Sequence, residues 1–146
     1  MKQEDKELLL RDLCGRLPYR VMVITRYQAI DEPIQLKYID CCQGTYAVGG
    51  ESAMISGISF DDYLCKPYLF PLSSMTKEQK KEYRQSTAKD IDSLQEVVIA
   101  RMNGELESKK HEVAYNGIDW LNANHFDYRG LIEKGLALDA TGLNVY

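Results

Sequence analysis

A chain of 146 residues with 45% hydrophobic side chains is large enough to bury one continuous core, and a single domain is the expectation. Eighteen basic against 22 acidic side chains leave a net charge of -4, which argues against duplex nucleic acid as a partner, because duplex binding is driven by cations that displace phosphate counterions. No run approaches the roughly 18 apolar residues that span a bilayer, and the charged start (Lys2, Glu4, Asp5, Lys6, Glu7) lacks the apolar stretch of a secretory leader, so no membrane partner and a cytoplasmic location are expected.

In chain order, Glu4 to Cys14 sets Leu8, Leu9 and Leu13 at helical spacing among charged neighbours, with Gly15 and Pro18 as stop signals. Tyr19 to Tyr27 reads as a strand covered on both faces, since Val21, Val23 and Thr25 alternate with Met22 and Ile24. Asp31 to Pro33 turns the chain into a second strand over Ile34 to Cys42. Glycines 44, 49 and 50 bracket a third over Thr45 to Val48, and Ala53 to Ile58 is a fourth. Short strands at this spacing predict a small antiparallel sheet or a partly open barrel. Pro67 and Pro71 then predict that Lys66 to Leu72 is an extended connection leaving the sheet.

The remaining chain reads as helical. Thr76 followed by Gln79 has the form of a capping box ahead of a polar helix over Lys77 to Gln85. Ile91, Leu94, Val98 and Met102 predict a helix over Asp90 to Asn103, although Val97 to Ile99 also reads as strand. Asn116 is placed to start a short helix through Asn124 that turns Ile118 and Leu121 inward, and Gly130 and Gly135 break the tail into turns. The expectation is an α+β domain: an N-terminal helix, a sheet over residues 19–64, and a helical part over residues 76–146 packed on it.

The four cysteines (Cys14, Cys41, Cys42, Cys65) lack the spacing of a metal knuckle or redox motif, and the two histidines, His111 and His125, stand apart from all of them. Neither a metal nor another cofactor is expected. Neighbouring strand residues point to opposite faces, so Cys41 and Cys42 are poorly placed to bond each other. Asp61 and Asp62 read as a solvated turn rather than a cation site. The serines lack a nucleophile elbow, and Gly44 to Gly50 is not followed by the Lys and Ser/Thr of a phosphate loop. Tyr63, Lys66, Tyr68 and Arg84 mix aromatic and basic residues as single-strand nucleic-acid platforms do, against the acidic neighbours Asp61 and Asp62.

Three runs carry a resemblance: Leu8 to Tyr19 (LLLRDLCGRLPY), Lys66 to Met75 (KPYLFPLSSM) and Trp120 to Leu138 (WLNANHFDYRGLIEKGLAL). In that order they resemble a group of short uncharacterised proteins carried by gut Bacteroidales and by their phages and mobile elements. The resemblance implies an accessory gene of such an element, a setting in which small proteins bind and redirect host machinery, including host defence. It implies no mechanism.

The densest polar stretch is His125, Phe126, Asp127, Tyr128, Arg129. A turn of this composition can close a core or face a partner. The leading expectation is a non-catalytic binder of a host protein, using Tyr68, Trp120, His125, Asp127, Tyr128 and Arg129. A second is a sponge in which Arg129, Tyr128 and His125 hold a phosphorylated nucleotide at a homo-oligomer interface. A third is a small hydrolase with His125 and Asp127 as acid and base.

Overall fold

The computed structural model describes residues 2–27, 32–50, 53–87 and 115–146. The chain divides into two compact units, one built from Met1–Leu72 with His125–Tyr146 and the other from Ser73–Asn124.

The first unit opens with helix α1, Gln3–Arg16, with Glu4 and Asp5 in its first turn and Arg16 in its last, an arrangement that suits the helix dipole. Leu9, Asp12, Leu13 and Arg16 are buried and spaced 3, 1 and 3 apart, so they form one stripe along the helix. Pro18 converts the end of α1 into a 3-10 turn over Leu17–Tyr19, and Arg20 reverses the chain in the left-handed region at φ 55°.

Five strands follow: β1 Met22–Thr25, β2 Ile34–Asp40, β3 Thr45–Gly49, β4 Met54–Ser59 and β5 Cys65–Pro71. The C-terminal segment adds β6, Phe126–Asp127, and β7, Leu138–Asp139. Their order is β4-β3-β2-β1-β5-β6, with β7 also on β5. The first five pair antiparallel, whereas β6 and β7 lie parallel to β5 (Phe70↔Phe126, Tyr68↔Leu138), so the expected α+β class holds with an open mixed sheet. Between Tyr46↔Ile58 and Val48↔Ile55 one residue of β3, Ala47, faces two of β4, Ser56 and Gly57, and Gly57 at φ +73° supplies the left-handed residue of that bulge. The bulge bends β4 at an edge of the sheet, where it discourages pairing with another chain. Leu9 and Leu13 pack with Val21, Val23, Leu36, Tyr46 and Leu69 in the core, which Leu131 and Leu136 of the tail complete.

Two expectations need correction. Lys66 to Leu72 does not leave the sheet: Cys65–Pro71 is an inner strand, between β1 on one side and β7 on the other. The carbonyl of Leu69 accepts the Ala140 N–H at 2.8 Å, so alternate residues 67, 69 and 71 turn their backbone groups toward the β7 side. Pro67 does so one residue before the β7 pairing begins and Pro71 sits at the strand end, so neither missing N–H costs a ladder bond. The sheet therefore extends past residue 64, and the tail after residue 125 belongs to it rather than to a helical half.

In the second unit residues 77–87 are helical, and the capping box forms reciprocally: Thr76 N–H donates to Gln79 Oε1 at 2.8 Å and Gln79 N–H to Thr76 Oγ1 at 3.1 Å. Helix Tyr115–Ala123 follows, and within this unit the rings of Tyr83 and Trp120 lie 5.6 Å apart. The expected helix over Asp90 to Asn103 and the His111 run lie outside the described residues.

Candidate functional site

Five of the six residues expected to form a site fall in the first unit, and Trp120 falls in the second. The structure joins most of the five to residues the sequence reading passed over. Asp12 and Arg16, both fully buried on the α1 stripe, form a bidentate pair, with Arg16 Nε 2.7 Å from Oδ2 and Nη2 3.1 Å from Oδ1. Arg16 Nη2 also donates to the Phe126 carbonyl at 2.7 Å, which ties the helix to β6. Arg129 brings Nε to 3.3 Å from Asp12 Oδ1, so one carboxylate faces two guanidinium groups. The Tyr128 ring lies beside both cations, 4.9 Å from Arg129 Cζ and 5.3 Å from Arg16 Cζ, and its π-face takes up part of the charge the single carboxylate leaves unbalanced.

Asp127 is occupied by the backbone. Its Oδ1 accepts the N–H of Arg129 at 3.2 Å and of Leu131 at 2.9 Å, and its Oδ2 accepts the N–H of Ile132 at 2.8 Å. The carboxylate thus holds the turn that inserts Leu131 into the core. His125 stands in the left-handed region at φ 58° and stacks on Tyr146 with centroids 3.7 Å apart and planes 10° from parallel. Its carbonyl accepts the Phe70 N–H at 2.9 Å. Tyr146 in turn donates its hydroxyl to the Tyr68 carbonyl at 2.6 Å, and Tyr68 is itself buried in β5. His125, Asp127 and Tyr68 are therefore engaged in closing the fold. The signal that would have found Asp12 and Arg16 is their i, i+4 spacing in register with Leu9 and Leu13, on the buried face rather than the solvated one.

Burial, with the Arg16 charge nearby, lowers the His125 pKa to about 4 from 6.5. The unfolded chain then takes up a proton on His125 below pH 6.5 before the folded chain does, so stability falls between pH 6.5 and 4 and this contribution is level below that. The shift corresponds to about 3 kcal/mol before solvent screening and to about 2 kcal/mol after it. His125→Asn tolerates the left-handed backbone, and its urea midpoint is expected to lose that part of the acid sensitivity shown by the parent chain.

A second feature lies on the opposite face of the sheet. Val23, Thr25 and Cys65 point into the core, so Ile24 and Lys66 turn the other way, directly opposite each other in the β1–β5 register, and Arg26 and Leu64 lie next to them just beyond the strand ends. With Asp62, Tyr63 and Leu138 they line a cleft of about 500 Å³. Tyr27 holds the Tyr63 ring edge-on, with centroids 5.0 Å apart and planes at 90°. Among the described residues neither Arg26 nor Lys66 has a carboxylate within ion-pair distance, whereas Lys6 pairs with Asp61, the neighbour of Asp62. No group of three or more potential metal ligands occurs among the described residues, and none of their helices is long and apolar enough to cross a membrane. No family model, no curated protein and no solved structure matches this chain.

Proposed function

We propose that this chain is a non-catalytic binding protein whose ligand is a small phosphorylated molecule of the nucleotide type, held in the cleft on the outer face of β1 and β5. The observation that carries this reading is the convergence of Arg26 and Lys66 on one cleft with an apolar floor of Ile24, Leu64 and Leu138 and an aromatic ring at Tyr63. About 500 Å³ falls within the range of small-ligand sites. Two cations against the one carboxylate of Asp62 leave the cleft positive in a chain whose net charge is -4. A guanidinium and an ammonium are the side chains that recognise phosphate, and Tyr63 offers a π-face for a base. Asp62 supplies an acceptor for a ribose hydroxyl or an exocyclic amine.

Binding without turnover is supported by the side chains themselves, since His125 and Asp127 are committed to ring stacking and to backbone amides. A sponge for a phosphorylated signal also suits the phage or mobile-element setting that the sequence resemblance implies. Contact with a host protein through the six residues singled out in the sequence has less support, because Tyr68, His125 and Asp127 are 6%, 7% and 8% exposed.

The test is a melting and calorimetric series with nucleoside mono-, di- and triphosphates beside the unphosphorylated nucleosides. A phosphorylated member at 100 times its dissociation constant should stabilise the chain by about 2.7 kcal/mol. Arg26→Ala and Lys66→Ala should each weaken it by about tenfold or more without lowering the melting temperature of the free protein. Equal binding of nucleosides, or no binding by any phosphorylated member at millimolar concentration, would overturn the assignment. A protein partner lost by Arg129→Ala and kept by Lys66→Ala would point to the host-protein reading.

A further inference from the structure

Cys14 and Cys41 come from separate elements, the last turn of α1 and the turn after β2, and are 27 residues apart in sequence. The fold sets their Sγ atoms 4.0 Å apart, in van der Waals contact, with both residues exposed. Cys65 is buried on β5, while Cys42, adjacent to Cys41, is exposed but is not in contact with Cys14 among the described interactions. Side-chain rotation at the two cysteines is the movement that would take sulfurs already in contact to the bonded distance of about 2.05 Å.

We propose that Cys14 and Cys41 form a reversible disulfide that clips the C-terminal half of α1 to the β2–β3 turn, with a small disulfide of the glutathione type as oxidant. The exchange balances in two steps. The Cys41 thiolate attacks one sulfur of the oxidant, its S–S bond breaks, and one glutathione leaves as thiolate and takes up the proton that Cys41 gave up. Cys14 then attacks Cys41 Sγ in the mixed disulfide, the protein S–S bond forms, and the second glutathione departs with the Cys14 proton. Two protein thiols are oxidised and one oxidant disulfide is reduced to two thiols. The order follows from the site: although Cys14 is exposed as a residue, its sulfur is partly desolvated, and this with the neighbouring Cys41 pushes the thiol up to about 11, so Cys14 acts second, on the mixed disulfide at Cys41.

The clip closes a loop that contains Arg16, β1 and β2, and it links α1 directly to the turn after β2. Restricting the unfolded chain over a loop of this length raises the melting temperature by about 10 °C.

The intact reduced protein is incubated with graded ratios of oxidised to reduced glutathione, quenched in acid, and mapped as peptides without reduction. The expected product is a Cys14–Cys41 linked peptide, two hydrogens lighter than its parts. It should be absent in Cys41→Ser, retained in Cys42→Ser, and accompanied by the upward shift in melting temperature, reversed by added thiol. The proposal would be overturned by glutathione left as a stable adduct on separate cysteines, by a cross-link from Cys14 to Cys42, or by full retention of four free thiols at oxidising ratios. Loss of the cross-link in Cys42→Ser would equally do so, since it would make Cys42 the required thiol.

Discussion

Asp12→Ala is expected to destabilise the first unit by about 3–5 kcal/mol, a large share of the total stability of about 5–15 kcal/mol of a small domain. Asp12 is fully buried and is the carboxylate that both Arg16 and Arg129 approach, at 2.7 Å and 3.3 Å. Removing it strands the fully buried Arg16 guanidinium, whose Nη1 already lacks a partner among the described residues. A stranded buried charge costs far more than the pair contributes over an apolar replacement. The double variant Asp12→Leu with Arg16→Met should therefore be closer to the parent in urea midpoint than Asp12→Ala is, even though it removes more native contacts. If Asp12→Ala melts within about 1 kcal/mol of the parent, as for an exposed ion pair, the cluster is not the internal clasp described here.

Phe126→Ala is expected to cost about 3–5 kcal/mol, read as a melting temperature lower by about 10 °C. The ring is 1% exposed and lies 6.1 Å from the Phe70 ring, in the strand pair that returns the C-terminal segment to the sheet. The site cannot collapse easily around the void. Its backbone is paired with β5, and its carbonyl holds Arg16 at 2.7 Å. Phe126→Leu, which keeps most of the volume, should recover more than half of the loss. Equal melting of the Ala and Leu variants would show that the ring does not carry the packing assigned to it.

What the sequence disclosed follows the range of the interactions. The capping box at Thr76 and Gln79 was legible because its partners are three residues apart and each bond is local. Strands β1 to β4 were legible from alternation and from the glycine turns between them. Strand β5 was misread, since Pro67 and Pro71 signal an edge or a connection unless the direction of each backbone group is known, and that depends on where β7 begins. Strands β6 and β7 have two residues each, too few for any periodicity. Asp12 and Arg16 drew no notice, since charge at i, i+4 is usually solvated; only the leucines in the same stripe say otherwise. The cleft was out of reach altogether. Ile24, Arg26, Leu64 and Lys66 meet through a pairing between segments 40 residues apart, and neither segment carries a phosphate-binding motif of its own.

The central claim is that the outer face of β1 and β5 receives a phosphorylated ligand. Backbone amide shifts of the isotopically labelled full chain, followed while a nucleoside triphosphate is titrated in, test it most directly. The account predicts saturable shifts concentrated at Ile24, Arg26, Tyr63 and Lys66, with Tyr128 and Arg129 unmoved. Shifts concentrated at Tyr128 and Arg129, or no saturable shift with any nucleoside mono-, di- or triphosphate, would contradict it.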